Sequence, residues 1–184
     1  MIGAITAGLF SSGVAAATTS YESIATVTVS SAQATITFSS IPSTYKHLQV
    51  RGISRLTGGT LPGIDMQLNS DTGANYFDHI LRGSGSGVTA GADTSVTAMN
   101  IITSAGGAQT ASVFSGFVLD ILDYANTSKN KTARSLNGAD FNGTGWVDFR
   151  SGAWNSTAAV NAIKFSGASN FDVGTTFALY GIKG

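Results

Sequence analysis

The fold is decided by the apolar run Val113–Tyr124 (VFSGFVLDILDY), the polar turn Ala125–Asn130 (ANTSKN) and the return segment Lys131–Gly138 (KTARSLNG). In the first run, alternate residues from Phe117 to Ile121 are large and apolar, and the opposite face carries further apolar side chains. A strand that is apolar on both faces is typical of the interior of a sheet. The turn is too short for a crossover helix, so the pattern predicts a central antiparallel hairpin.

The composition favours a single all-β domain. The chain has 184 residues, of which 42% are hydrophobic and only 11% are charged, and Glu22 is its only glutamate. Ordinary soluble domains carry about 25% charged residues, and long surface helices draw on Glu, Lys and Arg. Short alternating stretches separated by Gly, Asn and Ser turns continue along residues 21–184. We therefore predict one antiparallel β-sandwich or jelly roll of about ten short strands over that range.

Two stretches of this domain are interpreted as connections. Ser30–Gln33 has the length of a hairpin turn, and Gly83–Asp93 is rich in Gly and Ser, as flexible loops are. Within the second stretch, Gly85–Ala90 matches a loose dinucleotide-binding pattern. No amphipathic helix follows it, so the pattern predicts a loop and not a nucleotide site.

Charge and cysteine content exclude several classes of partner and site. The formal net charge is zero, whereas nucleic-acid binding requires a surplus of basic residues, so we expect no nucleic-acid partner. The chain contains no cysteine, which excludes disulfides and thiolate metal sites. A surface with so little charge gives weak protection against association, so we expect much of it to be covered by partners. The alternative is a hydroxyl-rich, well-hydrated surface.

The N-terminal segment Met1–Ser20 differs from the rest of the chain, because it consists mainly of Ala, Gly, Ser and Thr. It is short and interrupted by Gly and Ser, so it predicts neither a membrane span nor a stable helix. We interpret it as an arm that docks on a neighbouring subunit; the alternative is that it packs on its own domain. The side chains expected to make the contact are Ile2, Ile5, Leu9, Phe10 and Val14.

No pattern in the sequence predicts catalysis or a cofactor. Neither His47 nor His79 lies in a nucleophile-elbow or metalloprotease motif. The turn Asn69–Asn75 and the following Asp78 offer oxygen ligands of the kind that calcium prefers, but the glutamate that closes an EF-hand is missing. A plain hairpin turn explains these residues equally well. We therefore predict that the protein is not an enzyme and has no metal or other cofactor.

One pair of residues is predicted to lie on the surface as a recognition site. Aromatic rings can stack on sugars, but strand aromatics in a sandwich usually belong to the core. Trp154 is followed by Asn155 in a setting rich in Gly, Ser and Asn, which is typical of an exposed loop. Trp154 and Asn155 are therefore the residues that we predict for contact with a glycan.

Five segments together resemble small virion structural proteins of tailed bacteriophages. They follow one another in order between Tyr21 and Gly184 and correspond to strands and turns of that family, without a chemical motif. The resemblance therefore carries no catalytic residue over to this chain. The segments are Tyr21–Thr26 (YESIAT), Phe38–Arg51 (FSSIPSTYKHLQVR), Leu68–Tyr76 (LNSDTGANY), Asp120–Thr127 (DILDYANT) and Phe177–Gly184 (FALYGIKG).

The resemblance implies a component of the virion, assembled in the host cytoplasm. Our first expectation is a capsid cement or decoration protein that binds the major capsid protein or other virion subunits and stabilises the assembled head. The alternative is a tail-fibre or receptor-binding module that recognises a host-surface glycan. By analogy with the family we expect a homo-oligomer, with a trimer favoured.

Overall fold

A computed structural model describes residues 20–184 of the chain. Within that range the chain forms twelve strands and no helix, and no helix there is long and apolar enough to cross a membrane. The strands are β1 (Tyr21–Thr28), β2 (Gln33–Phe38), β3 (His47–Ser54), β4 (Gly63–Leu68), β5 (Tyr76–Gly83), β6 (Val88–Val96), β7 (Met99–Thr103), β8 (Ser115–Leu122), β9 (Lys131–Asp140), β10 (Gly145–Trp154), β11 (Ile163–Phe171) and β12 (Thr176–Ile182).

The strands form two antiparallel sheets, and this confirms the predicted β-sandwich. The larger sheet has eight strands in the order β1-β12-β3-β8-β9-β10-β5-β6, and the smaller has four in the order β2-β11-β4-β7. The predicted central hairpin is also confirmed, because β8 and β9 pair antiparallel in the middle of the larger sheet. The strand order does not establish a jelly roll, and the predicted arm Met1–Ser20 lies, except for Ser20, outside the described residues.

The core between the sheets is built from the alternate side chains that the sequence pattern predicts. Along β8, Phe117, Leu119 and Ile121 are buried, while their neighbours on the other face are partly exposed. Phe177 on β12 joins the two sheets, because its ring centroid lies 4.7 Å from that of Phe117 in the same sheet and 5.0 Å from that of Phe165 in the other. Edge-to-face rings at such distances attract each other beyond their area burial.

Both predicted connections are wrong in detail. Ser30–Gln33 does not close a hairpin, because β1 pairs with β12 in the larger sheet and β2 pairs with β11 in the smaller one. The segment therefore carries the chain from one layer of the sandwich to the other. Most of Gly83–Asp93 is not a loop but part of β6, which pairs with β5 along its whole length and forms an edge of the larger sheet.

Candidate interaction surface

The outer face of the larger sheet carries a row of apolar side chains that are open to solvent. Leu81 on β5, Phe149 on β10 and Leu136 on β9 are direct neighbours in the strand register, and Val118 on β8 continues the row beside Leu136. Leu81, Phe149 and Leu136 are 52%, 52% and 50% exposed. Single exposed apolar residues are ordinary, whereas contiguous exposed apolar patches are typical of surfaces through which proteins associate, so this row is a candidate interaction surface.

A second row runs parallel to the first and is partly made of glycine. Val147 on β10 pairs with Gly83 on one side and with Gly138 on the other, and Gly138 pairs in turn with Gly116 on β8. The ends of the row are apolar and exposed, at Val88 on β6 and Ile53 on β3. The glycines leave shallow gaps between the projecting side chains. We refer to the two rows together as the outer apolar face.

A polar row borders the outer apolar face. Asp120 on β8 accepts a hydrogen bond of 2.7 Å from Gln49 Nε2 and lies 3.3 Å from Arg134 Nε on the neighbouring β9. Ser151 and His79 extend the same row across β10 and β5. The row thus contains both positively and negatively charged side chains. The only charged side chain in the two apolar rows is Arg51, at one end of the first row.

The inner side of the same strands carries a closed network of charges. Asp148 on β10 is fully buried and accepts two hydrogen bonds of 2.7 Å from Arg82 on β5. The Thr103 hydroxyl donates to the same carboxylate at 2.6 Å, and Arg150 Nε lies 3.4 Å from it. Burial by itself raises the pKa of Asp148, but the bonds from Arg82 and Thr103 outweigh it and lower that pKa below its ordinary value.

This network holds the sheets together and leaves no group free for chemistry. Arg150 donates to the carbonyl oxygen of Asn100 at 2.9 Å and to the Thr103 hydroxyl at 2.8 Å, both across the sandwich. Burial lowers the pKa of the Arg150 guanidinium. Because donors and acceptors in the network bond one another, we assign it a structural role.

A pocket of about 320 Å³ beside the network contains three carboxylates, those of Asp65, Asp78 and Asp93. Burial raises the pKa of both Asp65 and Asp78. The main-chain N–H of Asn100 donates to Asp78 at 2.9 Å, and the Asn100 amide donates to Asp65 at 2.7 Å. Among residues 20–184, no group of three or more potential ligands is arranged to hold a metal ion.

The predicted surface position of Trp154 is wrong. The side chain is only 3% exposed, and its ring stacks on Tyr76 with centroids 6.3 Å apart. Its Nε1–H donates to Asp71 Oδ2 at 2.7 Å, and this bond is the main cause that lowers the pKa of Asp71. The ring lies inside because Trp154 continues the inward-facing alternation of β10, while Asn155 is exposed just beyond the strand.

The turn that offered calcium ligands is satisfied by its own hydrogen bonds. Asp71 accepts from the main-chain N–H of Gly73 at 2.8 Å and from the Asn75 amide at 2.9 Å, in addition to the Trp154 indole. Of the two histidines, His47 Nδ1 accepts from the main-chain N–H of Asp123 at 3.0 Å, and His79 lies on the outer face. The structure therefore brings none of these residues together into a catalytic arrangement.

The two tryptophans allow a direct test of the Trp154 hydrogen bond. Trp154→Phe removes a bonded indole N–H, whereas Trp146→Phe removes one that is buried with no partner in the described part of the chain. Both substitutions remove a similar volume, so the bond makes Trp154→Phe the more destabilising by about 1–2 kcal/mol. The measurement is urea unfolding of both variants at equal protein concentration, and equal losses would contradict the assignment.

Comparisons with protein-family models, with curated proteins and with solved structures found no match to this chain.

Proposed function

We propose that the protein is a structural component of a tailed-bacteriophage particle, and specifically a decoration protein that binds the outside of the assembled head. The proposal starts from the resemblance of the five segments in residues 21–184 and from the all-β fold. Binding of this kind requires apolar contact and backbone pairing between subunits, and no chemistry. The outer face of the larger sheet offers an apolar surface of that type.

The single observation that carries the proposal is the outer apolar face. A neutral chain with 11% charged residues presents two contiguous apolar rows to solvent on an open sheet. Exposed apolar patches of this extent favour association with other protein surfaces. An assembly component has such surfaces covered in its working state, whereas a freely diffusing monomer carries them as an aggregation risk.

The N-terminal segment supplies the predicted contact with the head. Burial of its five large apolar side chains stabilises docking by about 1.5–3 kcal/mol each. Ordering the segment costs about 1–2 kcal/mol per residue in backbone entropy, so burial alone does not hold it. Backbone hydrogen bonds to the neighbour must contribute, which favours addition of a strand or insertion in a groove.

Deleting residues 1–19 is therefore expected to abolish binding to heads while the sandwich stays folded. Ser20 is kept because its carbonyl oxygen accepts a hydrogen bond from the main-chain N–H of Lys183. The measurement is co-sedimentation of the truncated and the full-length protein with empty heads, together with far-ultraviolet circular dichroism.

A matched variant separates apolar contact from mere length. It keeps the full length of the chain and replaces five residues by serine. Like the deletion, it is expected to lose head binding. The residues replaced are Ile2, Ile5, Leu9, Phe10 and Val14. If the truncated protein binds heads as well as the full-length protein does, the N-terminal segment does not make the contact with the head.

The fibre-type alternative remains a second hypothesis, but Trp154 no longer supports it because its ring is buried. A saturable interaction of the full-length protein with host-surface polysaccharide, together with no binding to heads, would favour it over decoration.

A further inference from the structure

We infer that the outer apolar face packs against the same face of a second copy of this chain. The pairing axis is a two-fold that runs parallel to the strands and passes between β9 and β10. Such an axis places β9 opposite β10 of the second copy, β8 opposite β5, and β3 opposite β6, because the strand order is β3-β8-β9-β10-β5-β6. It also keeps each cross-strand row facing the equivalent row of the other copy.

The first apolar row is complementary to itself under this rotation. Leu136 faces Phe149 of the second copy, and Val118 faces Leu81 of the second copy, since these residues occupy one row on β9, β10, β8 and β5. Each contact occurs twice because the interface is isologous. The four apolar side chains of this row are thus covered by apolar side chains of the second copy.

At its centre, the second row pairs a projecting side chain with a glycine. Val147 on β10 faces Gly138 of the second copy, whose strand has no side chain at that point to obstruct it. At the margins of the interface, Ile53 on β3 faces Val88 of the second copy. Both side chains are exposed when the chain is unpaired. Sheets that pack face to face lie about 10 Å apart, and interdigitated side chains fill the space between them.

The polar border is also complementary in charge. Asp120 on β8 faces His79 on β5 of the second copy, so a carboxylate meets an imidazole that can donate a hydrogen bond. Arg134 faces Ser151 of the second copy, and no two like charges meet in this row. An unrelated partner would require its own match to this pattern, whereas a second copy supplies it through symmetry.

The area of the face suits a stable dimer. Six strands about 4.8 Å apart and the three rows described above, about 6.8 Å apart, cover roughly 29 Å by 20 Å, which is about 600 Å² per copy or about 1,200 Å² for the pair. Specific interfaces bury about 1,200 Å² or more in total. This pairing covers the outer apolar face, on which the proposed function also rests, within a dimer, and it leaves contact with the head to the N-terminal segment. It gives a two-fold dimer where the resemblance favours a trimer.

The test measures molecular mass as a function of concentration by sedimentation for the full chain and two lysine variants. We expect a dimer for the unchanged protein and a monomer for Leu136→Lys, because the lysine would bury a charge against Phe149 of the second copy. Val173→Lys is the matched control, since Val173 is 54% exposed, as Val147 is, but lies away from this face. It is expected to leave the dimer intact.

Cross-linking keeps the proposal testable if a lysine variant fails to fold. The chain has no cysteine, so Leu136→Cys and Phe149→Cys each introduce a single thiol. Each position lies within about 11 Å of its own symmetry mate across the axis, since the sheets are about 10 Å apart and neighbouring strands about 4.8 Å apart. A short bis-maleimide is therefore expected to link either variant into covalent dimers, whereas Val173→Cys, in the turn between β11 and β12, is expected to stay unlinked. A monomer at all concentrations, a trimer, an oligomer that survives Leu136→Lys, or linking of the two variants no stronger than that of Val173→Cys would each overturn the inference.

Discussion

Replacing Asp148 by alanine is expected to lower the free energy of unfolding by about 3–5 kcal/mol, because it leaves the buried guanidinium of Arg150 and the partly buried one of Arg82 without their carboxylate. Arg82 and Arg150 both contact Asp148, whose side chain has no exposed surface. Neither arginine can lose its proton at neutral pH, so the uncompensated charge stays between the sheets. Guanidinium chloride unfolding, followed by circular dichroism at fixed protein concentration, measures the loss.

A compensated variant distinguishes this cause from general disruption of the core. The triple substitution Arg82→Met, Asp148→Leu and Arg150→Met removes all three charges and is expected to recover much of the lost stability. Lys183→Ala, which breaks the exposed pair with Glu22, serves as the control with little effect. If Asp148→Ala behaves like that control, the network does not have the role assigned to it.

Replacing Phe177 by alanine is expected to lower the free energy of unfolding by about 3–5 kcal/mol, because it opens a cavity between the sheets. The fully buried ring contacts Phe117 in its own sheet and both Phe165 and Phe171 in the other, so three neighbours lose packing at once. Denaturant unfolding of the variant gives the value directly.

The same substitution at Phe149 is the matched control. Phe149 is half exposed on the outer face, so truncation removes little buried contact in a single copy. Its effect on unfolding is expected to be a fraction of the Phe177 effect when both are measured at a dilution that leaves the protein monomeric. Equal losses in the free energy of unfolding for the two variants would contradict the assignment of Phe177 to the packed core between the sheets.

The sequence allowed the central hairpin to be predicted because its signals are local. Alternation along Phe117–Ile121 and the short turn that follows are both contained in the segment itself. The partner of β1 could not be predicted in this way, since it is β12, which lies about 150 residues further along the chain. The outer apolar face was missed for the same reason: its rows can be recognised only once the order and register of six strands are known.

Burial of polar side chains was the other feature that sequence patterns did not predict. Lys131 is a charged residue directly after the polar turn Ala125–Asn130, yet it is almost fully buried. Its Nζ donates to the carbonyl oxygens of Asn126 and Lys129 at 2.7 Å and of Thr157 at 3.1 Å. Three acceptors that close around one ammonium group can be recognised only in the folded chain. The prediction of a surface position for Trp154 relied on the Gly, Ser and Asn residues around it. The alternation along β10 would instead have predicted a buried side chain.

The position of β12 between β1 and β3 has a consequence for biosynthesis. The ribosome makes β12 after the other eleven described strands, yet this strand fills an interior place in the larger sheet. Until it emerges, the nascent chain exposes the main-chain edges of both β1 and β3, and pairing across so long a separation is slow to form. During translation these open edges are available to pair with other nascent chains, so the growing polypeptide is most vulnerable to aggregation just before its sheet can close.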